Sequence, residues 1–341
     1  MPPMPTLGPQ PRSRPLAKVL MISLVLGGIV GGIFWLRTDK VAETAVVEAP
    51  PASEPAEPKV AELPKPVEEV VPEATGPRSF SVEVHGPLET AVIKGSDSEI
   101  GPALAQVINR ALVWWMTVPR DLRAGDLLEV VYEPVAGEEP RVHAVRYTSD
   151  RHGKTFAAYR FHAEGDTYAR FYEADGRELE ERLRHSPLDD YEQVTSILRD
   201  GRGHKGVDFK LPTGGPVKAP FDGVVTRRNW NFRANGNCIE LKERGGKGRT
   251  AIFLHLDALP AGTQTGKSFQ RGEVIAQSGN SGRSFAPHLH YQLMSGNRVL
   301  DPFREHQVYK REVPATAKAA FDAERARLDA LLTPVAASTT P

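Results

Sequence analysis

Cysteine is almost absent from this 341-residue chain, Cys238 being the only one. A single thiol excludes an intramolecular disulfide framework and contributes nothing to a cysteine zinc cluster. Cys238, in the alternating stretch NCIELKE, is therefore expected to pack as a small hydrophobe. An excess of one charge sign is lacking too. Lys plus Arg and Asp plus Glu each number 43, so the formal net charge is zero, and no basic excess marks a nucleic-acid surface.

Long apolar runs are equally scarce. The exception is residues 19–36 (VLMISLVLGGIVGGIFWL), which carry no charge. As a helix they would be about 27 Å long, close to the hydrocarbon thickness of a bilayer. The stretch exceeds the apolar region of a signal peptide and no clear small-residue cleavage site follows it, so it reads as a transmembrane anchor. Arg12, Arg14 and Lys18 precede it, which puts residues 1–18 in the cytoplasm. Residues 37–78 then form a disordered tether, with prolines at 50, 51, 55, 58, 64, 66, 72 and 77 and an acidic excess. Such a segment favours extended polyproline geometry and reaches about 100 Å at roughly 3.1 Å per residue.

The rest has room for two folded regions. Residues 79–190 combine a helical stretch (GPALAQVINRALVWWM) with alternating segments, and read as a small α+β domain. Residues 191–310 read as strand after strand separated by glycine-containing turns, an antiparallel β-sheet with a groove across it. In 311–341, Ala320, Phe321, Leu328, Leu331 and Leu332 lie at helical spacing, predicting a helix docked on the body before a disordered tail.

The chemistry concentrates in two motifs. His204 and Asp208 stand in GHKGVDF, and His288 and His290 in PHLHYQL. A hydrolytic zinc site takes three protein ligands, commonly two His and one carboxylate, and keeps one position open. Side chains at i and i+2 of a strand share a face, so both imidazoles of the HxH pair can enter one cleft, one for metal and one for protons. Spacing alone does not say which. Gly206 is expected to permit the turn that brings His204 to Asp208. His255, ending the apolar run TAIFLHL, is a fifth candidate. His85, His143, His152, His162, His185 and His306 have no partner motif and are expected on the solvated surface.

With these residues in place, residues 200–303 resemble the lysostaphin and LytM type of zinc metallopeptidases. The resemblance rests on the HxGxD order of His204, Gly206 and Asp208, on GGPVKAPFDGVV, FLHLD, GEVIAQSGNSG and PHLH, and on Asp301-Pro302. It implies a mainly β fold, an antiparallel LytM-type catalytic domain preceded by the α+β accessory domain, with one Zn2+ held by His204, Asp208 and His290. His255 and His288 become the catalytic pair. The pattern departs from the family at Phe285-Ala286, where a Thr-Gly pair is usual, and at Gln292, where an acidic residue is usual. Neither is a ligand position, so an altered groove shape is expected.

More loosely, DLRAGDLLEVVYE resembles the accessory region of Gram-negative membrane-anchored wall endopeptidases. That implies cleavage of the D-alanyl to meso-diaminopimelate bond of peptidoglycan stem peptides, by a domain on the periplasmic side of the inner membrane, with a protein regulator as a further partner. The rival implied role is a non-catalytic LytM-like regulator that activates a wall amidase, but such proteins lack several of the five residues present here. Relatives with such accessory regions keep the groove covered, which makes Asp97, Glu99, Asn109 and Asp126 candidate donors to the open metal position.

Overall fold

Period-two alternation places every second side chain on one face, and the segments that show it form strands β1 (Arg78–Val84), β2 (Asp126–Glu133), β3 (Arg141–Ser149), β4 (Lys154–Phe161) and β5 (Arg170–Glu173). They pair antiparallel in the order β1-β2-β3-β4-β5. Helices α1 (Leu88–Gly95) and α2 (Gly101–Leu112) are inserted between β1 and β2. The computed structural model describes residues 76–332 apart from 199, 201 and 202, all within one compact unit, Glu68–Pro341. The anchor expected at 19–36, residues 37–75 of the expected tether and the tail from 333 on lie outside the described residues. Among the described residues no helix is long and apolar enough to cross a membrane.

Both faces of this first sheet are covered. Leu104, Ile108, Ala111 and Leu112 recur at helical spacing on α2 and pack with Val84, Leu128, Val130, Val145 and Tyr147 of the sheet.

The chain continues through β6 (Arg182–Leu183), β7 (Gln193–Ser196), β8 (Val207–Lys210), β9 (Pro216–Lys218), β10 (Gly223–Arg228), α3 (Phe232–Asn235), β11 (Asn237–Glu243) and β12 (Thr250–Leu256). It then forms β13 (Ser268–Phe269), β14 (Val274–Gln277), β15 (His288–Ser295), β16 (Arg298–Leu300), α4 (Pro302–Glu305), β17 (Val308–Tyr309) and α5 (Lys318–Leu331). The second sheet runs β13-β10-β11-β12-β15-β8-β7, with β16 beside β15. Its core joins Val207, Phe209, Ile239, Leu241, Phe253, Leu289, Tyr291 and Leu293. Cys238 is fully buried, as its alternating strand predicts.

The helix expected near the C-terminus is α5, and it docks on the first sheet, on the face opposite α1 and α2. Phe321 and Leu328 are buried against Val131, Ala144, Tyr159 and Tyr172, and Asp329 accepts hydrogen bonds from Tyr159 and Arg146, both at 2.7 Å. Of the residues expected on its apolar face, Ala320 is exposed instead. One expectation fails outright. His306 is buried rather than solvated, and its Nε2 shares a hydrogen bond of 2.9 Å with the fully buried Tyr291 hydroxyl. Burial pushes its pKa down to about 4, so the ring is neutral.

Between the sheets the chain buries a cluster of charges. Arg182 donates to both oxygens of Glu178, Arg170 to both oxygens of Asp190, and the Arg182 guanidinium lies over the Tyr191 ring at 4.4 Å. Glu180 accepts the backbone N–H of Val194, in β7. Desolvation, reinforced by the charge of Glu178, pushes Glu180 up to about 8.

Two outcomes follow from this cluster. Glu178→Ala leaves buried Arg182 with only its longer contact to Asp190 and should cost up to about 3–5 kcal/mol in denaturant unfolding; an unchanged midpoint would show that the pair is dispensable. Glu180 binds its proton more tightly folded than unfolded, so its contribution to stability is full below its ordinary pKa of 4.5 and is lost as pH rises to about 8. Glu180→Gln should therefore flatten the fall in stability across that window, read from melting temperatures over a pH series.

Candidate metal centre

Strand pairing builds the site. In the antiparallel register of β8 and β15, Asp208 stands opposite His290, and Lys210 opposite His288. Residues directly opposite have Cβ atoms about 4.5–5.5 Å apart, near enough for a short carboxylate to reach an imidazole. His204 enters from the segment before β8. The chain bends at Gly206 as expected, and the glycine matters for space as well. A Cβ at residue 206 would lie 2.6 Å from the Tyr291 carbonyl oxygen and 2.9 Å from the His290 ring, so only glycine lets the backbone lie against the site.

Three donor atoms converge. His290 Nδ1 is 2.8 Å and His204 Nε2 is 3.2 Å from Asp208 Oδ1, and the two nitrogens are 3.1 Å apart. Donors 2.0–2.1 Å from a tetrahedral zinc ion stand about 3.3–3.4 Å from each other, so the triangle has nearly the size a metal needs. Its chemistry fits as well. The Nδ1 of His204 faces the Ile197 carbonyl, which only accepts, so that nitrogen carries a proton and Nε2, the atom facing Asp208, is the one that a metal can take in place of a second proton. Such an arrangement calls for positive charge at its centre. Among the described residues, His204, Asp208 and His290 are the one group of His, Cys, Asp or Glu side chains with metal-binding geometry.

The electrostatics agree. Burial opposes the ionised form of Asp208, but hydrogen bonds from His204 and His290 hold it well below the usual carboxylate range. Burial likewise pulls His204 down, yet Asp208, the Ile197 carbonyl and the Asp200 carboxylate outweigh it and keep the imidazole above its ordinary value.

His288 and His255 flank the triangle. Their ring centroids are 4.8 Å apart, and His288 Nε2 is 4.0 Å from Asp208 Oδ1. His288 Nδ1 lies 2.8 Å from the Ala286 carbonyl, and His255 Nδ1 lies 3.0 Å from the Ser281 carbonyl. Carbonyls only accept, so each neutral ring carries its proton on Nδ1 and leaves Nε2 open. His255 reaches this pose through a left-handed backbone, φ 60°, a strain on the order of 1–3 kcal/mol for a residue with a Cβ. The turn that accepts its N–H holds it there. Ser281 Oγ donates to the Leu256 carbonyl and accepts from Asn237 N–H, while Gly282, at φ 75°, lies so close to Gly236 that a side chain would collide with it.

All five expected side chains are thus brought together. The expected donors from the accessory segment are not. Asp97 instead accepts the N–H groups of Glu99 and Ile100, leading into α2, and Asp126 binds the Tyr147 hydroxyl at 2.6 Å and two backbone N–H groups. Glu99 is exposed and outside the cluster; the Asn109 side-chain carbonyl is buried without a hydrogen-bond partner. Phe285, the departure beside PHLH, projects almost wholly into solvent. Sequence reasoning missed the Ser281 carbonyl, Ser196, Ile197 and Asp200. Backbone carbonyls leave no trace in composition, and the last three precede the motif without belonging to it.

Known proteins are similar to this chain in sequence. Peptidoglycan DD-endopeptidase ShyA of Vibrio cholerae is 30% identical over 227 residues, covering 62% of this chain and 50% of that protein. The DD-carboxypeptidase/endopeptidase Mpg of Neisseria meningitidis is 33% identical over 168 residues, 46% of this chain and 37% of the relative. This chain spans about half the length or less of these curated relatives. A solved structure titled as a zinc containing peptidase from Vibrio cholerae aligns at 24% identity over 67% of this chain and 70% of the other, with a TM-score of 0.31. All five side chains of the site lie within residues 202–302, the stretch that matches Peptidase family M23.

Proposed function

We propose that this chain is a zinc endopeptidase that hydrolyses peptide cross-links of peptidoglycan, with His204, Asp208 and His290 as ligands and His255 and His288 as the proton-handling pair. The observation that carries the reading is the triangle of donor atoms, 2.8–3.2 Å on a side, flanked by two imidazoles with open Nε2 atoms. When bound, zinc polarises a carbonyl as a Lewis acid and lowers the pKa of water at its open position.

The chain's own groups supply the rest. Burial holds the His255 pKa down, aided by the neighbouring His288 and His290, so near neutral pH the ring accepts a proton at Nε2. Its Nδ1–H stays committed to the Ser281 carbonyl, which fixes the ring's direction throughout. Once protonated, Nε2–H can donate to an oxyanion developing on the scissile carbonyl or return the proton to the leaving amine. His288, anchored the same way through Ala286, offers the second such position.

Several finer features belong to the same proposal. The bond is D-alanyl to meso-diaminopimelate, which the name peptidoglycan DD-endopeptidase of the relatives supports. The chain is held in the inner membrane by residues 19–36, with the site on the periplasmic side and residues 37–78 spanning toward the wall, a reading supported by the length of the apolar run and the proline density.

The purified, zinc-loaded chain should convert cross-linked muropeptides of isolated murein to monomers, identified by mass; murein left fully cross-linked would overturn the reading. His204→Ala and Asp208→Ala should lose bound zinc and activity together, because two remaining ligands hold the ion poorly. Full zinc occupancy in either, by metal analysis, would refute the ligand set. His288→Ala and His255→Ala should keep their zinc while turnover falls about 10²–10⁴-fold. A metal-free His288→Ala would instead exchange the roles of His288 and His290.

A further inference from the structure

Behind His204 lies a chain of hydrogen bonds that the reaction itself does not use. Ser196, the last residue of β7, pairs with Asp208 in the β7–β8 register, and its buried hydroxyl stands 2.7 Å from His204 Nδ1 and 2.6 Å from Asp200 Oδ2. We propose that Ser196 and Asp200 are positioning residues for His204, holding its imidazole in the Nδ1–H tautomer so that Nε2 meets the metal as a bare lone pair.

The argument is one of donors and acceptors. A carboxylate has no proton to give, so the single hydroxyl proton of Ser196 is directed to Asp200. What the hydroxyl then offers His204 is a lone pair, and Nδ1 must supply the proton. The Ile197 carbonyl, 3.2 Å from the same nitrogen, asks for the same tautomer but at longer range. Without Asp200 the hydroxyl can rotate its proton toward Nδ1. The ring would then carry hydrogen on Nε2, which lies 3.2 Å from Asp208 Oδ1. That tautomer satisfies Asp208 internally and competes with metal. Asp200 therefore biases His204 between a metal-ready and a self-satisfied state.

The outer end of this relay reaches the junction of the two sheets. Asp200 lines a cavity of about 630 Å³ that is also lined by Val113, Met116, Thr117 and Val118, from the segment that follows α2. The carboxylate that the proposal ties to metal affinity thus shares a cavity with the accessory segment.

The inference rests on the zinc reading above, and its test has a readout that does not. With the full chain labelled at histidine nitrogens, metal-free and at a pH above the imidazole range, long-range nitrogen–proton spectra report which ring nitrogen of His204 is protonated. Wild type should show Nδ1–H; Ser196→Ala and Asp200→Ala should shift the population toward Nε2–H, and Ser196→Thr, which keeps the hydroxyl, should restore it. In chelator competition the first two variants should bind zinc about 10-fold more weakly or worse, the usual consequence of losing an outer-shell partner. Unchanged tautomer and unchanged affinity in both folded variants would overturn the proposal. If wild type takes up no zinc, the zinc reading falls, and the tautomer spectra still decide whether the relay sets His204.

Discussion

Everything at the site depends on one register, that of β8 against β15. It sets Asp208 opposite His290, and because side chains alternate across a sheet, a slip of one residue by either strand would carry its side chain to the other face, away from its partner. The register is fixed from both sides. Val207 and Phe209, which flank Asp208, and Leu289 and Tyr291, which flank His290, are all fully buried, so the apolar faces can lock in only one way. The polar cluster is the obverse of that packing. Asp208 and His290 meet because their neighbours must be inside.

The sheet alone does not complete the constellation. His204 and His255 reach it from positions where the chain leaves regular strand geometry, one through a glycine that allows backbone to touch the His290 ring, the other through a left-handed residue strained against a turn. Strain of this kind persists only where the surroundings over-determine it. Around His255 they do: Ser281 binds Leu256 and Asn237, and Gly236 and Gly282 interlock. The regular element supplies precision for two side chains, and irregular elements bring the others to meet them.

Much of this was legible in the sequence, for physical reasons that differ by residue. His288 and His290 were readable because period two is unavoidable in a strand, and Cys238 and α5 because burial follows apolar patterning. His306 was not, since the partner that satisfies its buried ring is Tyr291, a residue distant enough in sequence to leave no local signal. Gly206 was read for its bend alone: glycine can also mark a close approach of backbone, and sequence does not distinguish the two uses. The buried charges around Arg182 look, as letters, like any solvated run. The partners of His204 were hidden because a serine and an aspartate before a motif look like loop.

The docking of α5 has a consequence for how the chain can be divided. This helix is the last described element in sequence, yet Phe321 and Leu328 fill the outer face of the first sheet, so the core around residues 131–172 is closed by residues that come after the second sheet. The two sheets are therefore interleaved along the chain. A cut near residue 190 would leave the carboxy-terminal piece with an unpaired apolar helix and the amino-terminal piece with an uncovered β-surface, an exposed pair of the sort that associates with itself or with other chains. Separating the metal-bearing half after a single proteolytic nick would therefore require α5 to leave the first sheet and expose both of these surfaces.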